Sequence, residues 1–154
     1  MARDYPERPV VGVGGVVISQ ARTLLIRRGT PPLEGQWSIP GGTLELGETI
    51  AEGVRRELAE ETGLDVRVGE LIEVFERIFP DSDGRLRYHF VILDYLCEAE
   101  RGEPRAGSDV TAVAWATETE LDEYSLTPIA TRVILRAFQM ARERERREET
   151  HGAK

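Results

Sequence analysis

Gly42-Thr43-Leu44-Glu45-Leu46-Gly47-Glu48-Thr49-Ile50-Ala51-Glu52-Gly53-Val54-Arg55-Arg56-Glu57-Leu58-Ala59-Glu60-Glu61-Thr62-Gly63-Leu64 holds a helix start, a helix stop and a crowd of carboxylates. Thr49 followed three residues later by Glu52 forms a capping box, and Gly63 is a natural terminator, so a helix is predicted over Ile50 to Thr62. With Val54 set to zero on a wheel of about 100° per residue, Ile50, Ala51 and Leu58 lie within about 60° and form the core-facing arc. Glu57 falls at about -60°, Glu60 at about -120° and Glu61 at about -20°, so three carboxylates crowd one border of that arc and Glu61 lies inside it. Gly53, at about -100°, leaves room on the same border for a close approach by another backbone or a ligand.

Such crowding has a cost. Like charges at helical spacing repel, and each negative charge near a helix C-terminus opposes the macrodipole by about 0.3 to 1 kcal/mol. Arg56 stands four residues after Glu52 and four before Glu60, so a salt-bridged surface helix is one explanation. A divalent cation is the other. Carboxylates without His or Cys nearby are hard oxygen donors, which suit magnesium or manganese better than zinc. Gly41-Gly42, just before the helix, could turn backbone groups toward the same place, although a plain tight turn also explains a glycine pair.

Working outward, Val10-Val11-Gly12-Val13-Gly14-Gly15-Val16-Val17-Ile18 is β-branched and glycine-punctuated, as expected of a buried strand with close backbone neighbours. Leu24 to Arg28 continues as a second strand, and Pro31-Pro32 with Glu34-Gly35 marks a loop. Val66 to Phe79 and Leu86 to Cys97 are strand-rich, and Pro80-Asp81-Ser82-Asp83-Gly84 between them predicts a hairpin. Val110 to Trp115 is a further short strand. Thr127-Pro128 is an N-cap followed by proline at the first helical position, opening a terminal helix with Ile129, Val133, Ala137 and Met140 on one side. From Arg142 the charges alternate and apolar residues stop, so residues 142–154 are expected to be a solvated, fraying tail. Strands mixed with two principal helices imply an α+β sandwich with a mixed sheet.

The 154 residues fit one domain, expected to span 1–154, and 40% apolar content places the chain among globular proteins. No apolar run reaches the roughly 18 residues that span a bilayer, so no membrane partner is expected. The opening Met1-Ala2-Arg3-Asp4-Tyr5-Pro6 lacks the order of a secretory signal, and a single cysteine, Cys97, cannot form an internal disulfide; both suit the cytoplasm. Cys97 closes the largely apolar run from Phe90 and is read as a core residue. A formal charge of -8 argues against a nucleic-acid polymer, which needs a basic footprint, but leaves room for a small anion held through a cation.

From Gly42 the spacing runs Gly, five residues, Glu48, seven residues, Arg56-Glu57-Leu58, one residue, Glu60-Glu61, one residue, Gly63-Leu64. It resembles the Nudix box at every defined position, and Trp37-Ser38-Ile39-Pro40-Gly41 is similar to that family's approach to the box. The resemblance implies an α/β/α sandwich of the Nudix fold and Mg2+-dependent (or Mn2+-dependent) hydrolysis of a pyrophosphate bond in a nucleoside diphosphate derivative. By carry-over Glu57, Glu60, Glu61 and the Gly41 carbonyl would be metal ligands, Glu48 an assisting carboxylate, and Arg56 an orienting partner of the glutamates.

A general base must take a proton from the attacking water. Glu60 or Glu61 would serve, or Asp109, whose loop Ala106-Gly107-Ser108-Asp109 occupies a region where similar enzymes often place an acid; turn chemistry explains Asp109 as well. His89, on a strand, is a weaker candidate. Pro80, 16 residues beyond Leu64, resembles the ADP-ribose pyrophosphatase branch, although a turn proline explains it equally. Tyr88, Phe90 and Trp37 could stack a base or fill the core. The expected substrate is ADP-ribose or another nucleoside diphosphate sugar, followed by a nucleoside triphosphate. A non-catalytic nucleotide-binding regulatory module is the rival from another class, disfavoured because every box carboxylate is kept. The branch it resembles also makes a homodimer a reasonable expectation.

Overall fold

The computed structural model describes residues 3–152; the first two and last two residues, which belong to the opening segment and the charged tail considered above, lie outside the described residues. Strand β1 (Val10–Ser19) is the central ribbon, its β-branched residues alternating between the two faces. It turns into β2 (Arg22–Arg28), which is followed by the short β3 (Trp37–Ser38) and β4 (Gly41–Thr43). Then come α1 (Ile50–Thr62), the long hairpin β5 (Asp65–Pro80) and β6 (Leu86–Arg101), and β7 (Val110–Thr117). A 3-10 helix (Glu118–Tyr124) leads into α2 (Pro128–Gly152).

The sheet is mixed. Strands β1 and β6 run parallel from Val10 beside Phe90 to Val17 beside Cys97, while β5 with β6, β1 with β2 and β4, and β2 with β3 and β7 are antiparallel. One face carries Val13, Val17 and Leu24 against Val54 and Leu58 of α1. The other carries Val16, Leu25 and Leu96 against Val133, Ile134, Ala137 and Phe138 of α2. Helix–sheet–helix layering is thus the α/β/α sandwich expected of the sequence.

Local signals behave as their chemistry requires. Thr49 caps α1 with its hydroxyl accepting from Glu52 N at 3.1 Å, Glu52 returns a bond to Thr49 N at 3.2 Å, and Gly63 closes the helix in the left-handed region at φ 74°. Ala130 N donates to the Thr127 hydroxyl at 3.2 Å at the start of α2. Asp81 holds the β5–β6 turn by accepting from the amides of Asp83 and Arg85, both at 2.9 Å. Cys97 is buried in the α1-facing core, and burial pushes its thiol up to about 12, so it is not a reactive group.

Two expectations are corrected. Gly41-Gly42 is not a tight turn but strand β4, with Gly42 beside Val13 and Gly41 beside Gly14. The charged run expected to fray is helical to Gly152, because its arginines reach back to the body: Arg142 pairs with Glu118 at 2.9 Å, Arg144 with Glu98 at 3.0 Å and Arg147 with Glu70 at 3.5 Å. Among the described residues no helix is long and apolar enough to cross a membrane.

Candidate active site

Three segments meet at the C-terminal half of α1. Strand β4 lies alongside β1 and carries Gly41 and Gly42 past the helix. The absence of a side chain at Gly42 is a steric requirement, since a Cβ there would collide with the Glu57 carboxylate. Gly53, by contrast, makes room for Leu44 and the Glu48 carboxylate of the preceding loop rather than for a ligand. The third segment, residues 105–109, is stitched to the helix end: Arg105 N donates to Thr62 O at 2.9 Å and Gly107 N to Glu61 O at 3.1 Å. Those bonds satisfy carbonyls the helix leaves open and bring Asp109 to the same mouth as Glu61.

Arg56 organises the carboxylates. Its Nε and Nη2 grip Glu48 at 2.6 and 2.9 Å, Nη1 reaches Glu57 at 2.7 Å and Glu60 at 3.3 Å, and Nη2 also donates to Thr43 O at 2.9 Å. The guanidinium holds Glu48 well below the ordinary carboxylate range, at about 2, helped by the Glu45 amide. Glu57 moves the other way, because burial outweighs the pull of Arg56. Glu61 is pushed up to about 7, first by burial and then by Glu57 and Asp109, against the Gly41 N–H that donates to its Oε1 at 2.7 Å and against Arg28.

Glu48, Glu57, Glu60, Glu61, Arg56, Gly41 and Asp109 are therefore close neighbours, although in this arrangement no three acidic, His or Cys side chains among the described residues converge as ligands of one ion. Arg56 occupies Glu57, and the Gly41 amide occupies Glu61. The donor set nevertheless fits a hard divalent cation: all oxygen, with two buried carboxylates whose charged forms burial disfavours and a cation would restore. Glu57, Glu60 and Glu61 would hold it, and Mg2+ or Mn2+ suits such donors.

The mouth lined by these glutamates continues into a second cleft. Arg3, Arg28 and Gly41 to Thr43 line both, so the two share a wall. The second cleft, about 760 Å³ counting its open mouth, lies on the α2 face and is largely apolar, with Ile39, Phe75, Phe90, Ile92 and Ile129 around it. Of the three aromatic residues considered for stacking, Phe90 reaches this cleft. Trp37 instead packs edge-on against Tyr124 at 5.1 Å between ring centroids, and Tyr88 stacks beneath Phe90 in the core. His89 and Pro80 line neither cleft.

Arg3, Arg28, Arg77 and Asp94 line the second cleft, although sequence reasoning had not singled them out. For Asp94 a signal existed: one acid inside Phe90-Val91-Ile92-Leu93-Asp94-Tyr95-Leu96 is a charge where a core position is due.

Comparison with known proteins identifies the family. The family model described as NUDIX domain matches residues 8–138. An ADP-ribose pyrophosphatase of Methanocaldococcus jannaschii is 39% identical over 101 residues, 66% of this chain and 57% of that protein. A Mycobacterium tuberculosis protein, named as a candidate 8-oxo-dGTP diphosphatase, is 35% identical over 117 residues, 75% of this chain and 79% of that one. Among solved structures, a MutT NUDIX hydrolase from Burkholderia pseudomallei superposes with a TM-score of 0.73 at 30% identity, covering 84% of this chain and 98% of the other.

Proposed function

The chain belongs to the NUDIX hydrolase family, and from that premise we propose that it is a magnesium-dependent pyrophosphohydrolase of ADP-ribose or another nucleoside diphosphate sugar, working as one domain in the cytoplasm. The observation that carries this is the junction of two unlike clefts. A mouth of glutamates opens onto an apolar cleft, with Arg3 and Arg28 where they meet. A molecule with a pyrophosphate between a sugar and a flat base has the matching order of parts.

Pyrophosphate resists hydrolysis because its oxygens repel the nucleophile and the leaving phosphate is poor until its charge is neutralised. Bound at Glu57, Glu60 and Glu61, Mg2+ would acidify the attacking water and spread the growing negative charge. The rest falls to the chain. Arg28 is held in place by its Nε donating to Pro32 O at 2.6 Å, which points a partly buried cation at the shared wall where phosphates would lie. Arg56 keeps Glu48 ionised and fixes both Glu48 and Glu57 in rotamer by charge-assisted bonds. The proton of the water is taken by a carboxylate of the same mouth, Glu60, Glu61 or Asp109. The apolar cleft holds the base, which positions the scissile bond rather than altering it.

The M. jannaschii relative supports the sugar-nucleotide reading, while the M. tuberculosis relative supports a nucleoside triphosphate as the second. Chromatography of products separates them. With Mg2+, ADP-ribose should give AMP and ribose 5-phosphate with a higher kcat/KM than any common nucleoside triphosphate. Faster release of pyrophosphate from triphosphates would replace the first reading by the second, and no turnover of either would sink both.

A further inference from the structure

The apolar cleft contains one acid that the reaction does not use. Asp94 is only 3% exposed, yet it lines the cleft. On β6 it sits between Gly14 of β1 and Glu73 of β5, and a Cβ on Gly14 would run into its Oδ1, so the bare glycine backbone makes the space the carboxylate fills. Its charged neighbours are otherwise engaged or at a distance. Glu73 is taken by Arg132 of α2, whose Nε donates to Glu73 Oε1 at 3.2 Å. Arg77 attracts Asp94 electrostatically without a hydrogen bond, and no other donor among the described residues reaches the carboxylate. Burial, joined by Glu73, consequently pushes the group up to about 7. A buried carboxylate with unfilled acceptor sites, facing a cleft, is a strong demand for a donor on whatever enters.

The surroundings indicate which donor. Beside Asp94 the cleft's polar side chains are Ser38, Arg77 and, at the wall shared with the glutamates, Arg3, Arg28 and Thr43, whereas Phe75, Phe90, Ile92 and Ile129 offer flat and apolar contact. They suit a heterocycle with one polar edge. We propose that Asp94 is a specificity-determining residue whose carboxylate accepts a hydrogen bond from the exocyclic amino group of a nucleobase, favouring adenine, guanine and cytosine over uracil. Uracil presents carbonyl oxygens on both sides of its ring N–H, and an oxygen set against Asp94, ionised above about pH 7, would be repelled and left unpaired. The inference rests on the pyrophosphohydrolase reading for its kinetic test but not for its binding test.

The kinetic test compares kcat/KM for ADP-glucose and UDP-glucose in the wild type and in Asp94→Asn, which keeps the volume but loses the charge. The wild type should favour ADP-glucose, and the ratio should fall by about 10 to 100-fold in the variant, the span of one charge-assisted hydrogen bond. A merely structural Asp94 would lower both substrates together and leave the ratio unchanged, which overturns the proposal. Calorimetric binding of AMP and UMP to the wild type needs neither turnover nor a folded variant. AMP binding at least 10-fold tighter supports the assignment even if no substrate is hydrolysed, and equal affinities overturn it.

Discussion

Replacing Arg56 by alanine removes the guanidinium that faces Glu48, Glu57 and Glu60 together. The Glu48 and Glu57 side chains are only 11% and 12% exposed, so two largely buried carboxylates would lose their partner at once. Removing one member of a fully buried pair costs about 3 to 5 kcal/mol. Arg56 itself is 22% exposed and Glu60 about half, so water relieves part of this, and a loss of about 2 kcal/mol is the reasoned figure. For a chain of this size that lowers the melting temperature by about 4 to 8 °C. The loss should depend on pH with a definite sign. Glu48 has a folded-state value of about 2, below its ordinary 4.5, so the stability it draws from Arg56 is complete above pH 4.5 and is lost as pH falls toward 2. Calorimetric melts at pH 7 and pH 3 therefore give a larger gap between wild type and Arg56→Ala at pH 7. Equal melting temperatures at pH 7, or a gap that does not shrink at pH 3, would refute the view that Arg56 acts through these carboxylates.

Thr49→Ala removes the hydroxyl of the capping box and should cost about 1 kcal/mol, read as a melting temperature lower by about 2 to 4 °C with kcat/KM nearly unchanged. Gly42→Ala drives a methyl into the Glu57 carboxylate, so turnover should fall at least about 100-fold, as for other small displacements of a reacting group, while the circular dichroism spectrum stays that of the wild type. Truncation after Ala141 deletes the tail helix and the pairs from Arg142, Arg144 and Arg147. Exposed pairs contribute about 0 to 1 kcal/mol each, so thermal melts should drop by no more than about 10 °C and activity should persist; loss of activity would show that the tail reaches the site.

What was legible in the sequence was local. The bounds of α1 follow from Thr49, Glu52 and Gly63, all of which act within one or two turns, and the hairpin follows from the Asp81 turn. What was missed depends on partners distant in the chain. Strand β4 exists because β1 lies beside it, and three residues around a glycine pair carry no strand signal of their own. The tail is helical because Glu70, Glu98 and Glu118, on three other elements, meet its arginines. The site divides in the same way. Glu57, Glu60 and Glu61 announce themselves by crowding one helix border, whereas Asp94 and Arg77 gain meaning only when β5 and β6 set them on the face that α2 leaves partly open. Asp109 reaches the glutamates through backbone bonds from its loop to the end of α1, which no spacing rule contains.

Metal dependence at the glutamates is the central claim, and initial rates with ADP-ribose test it most directly, measured with Mg2+, with chelator, and after Mg2+ is restored, for wild type, Glu57→Gln and Glu61→Gln. The wild type should lose all turnover in chelator and regain it with Mg2+, and both variants should fall by at least about 100-fold while melting as cooperatively as the wild type. Turnover that survives chelation, or that survives both substitutions, would contradict a metal-dependent active site at α1.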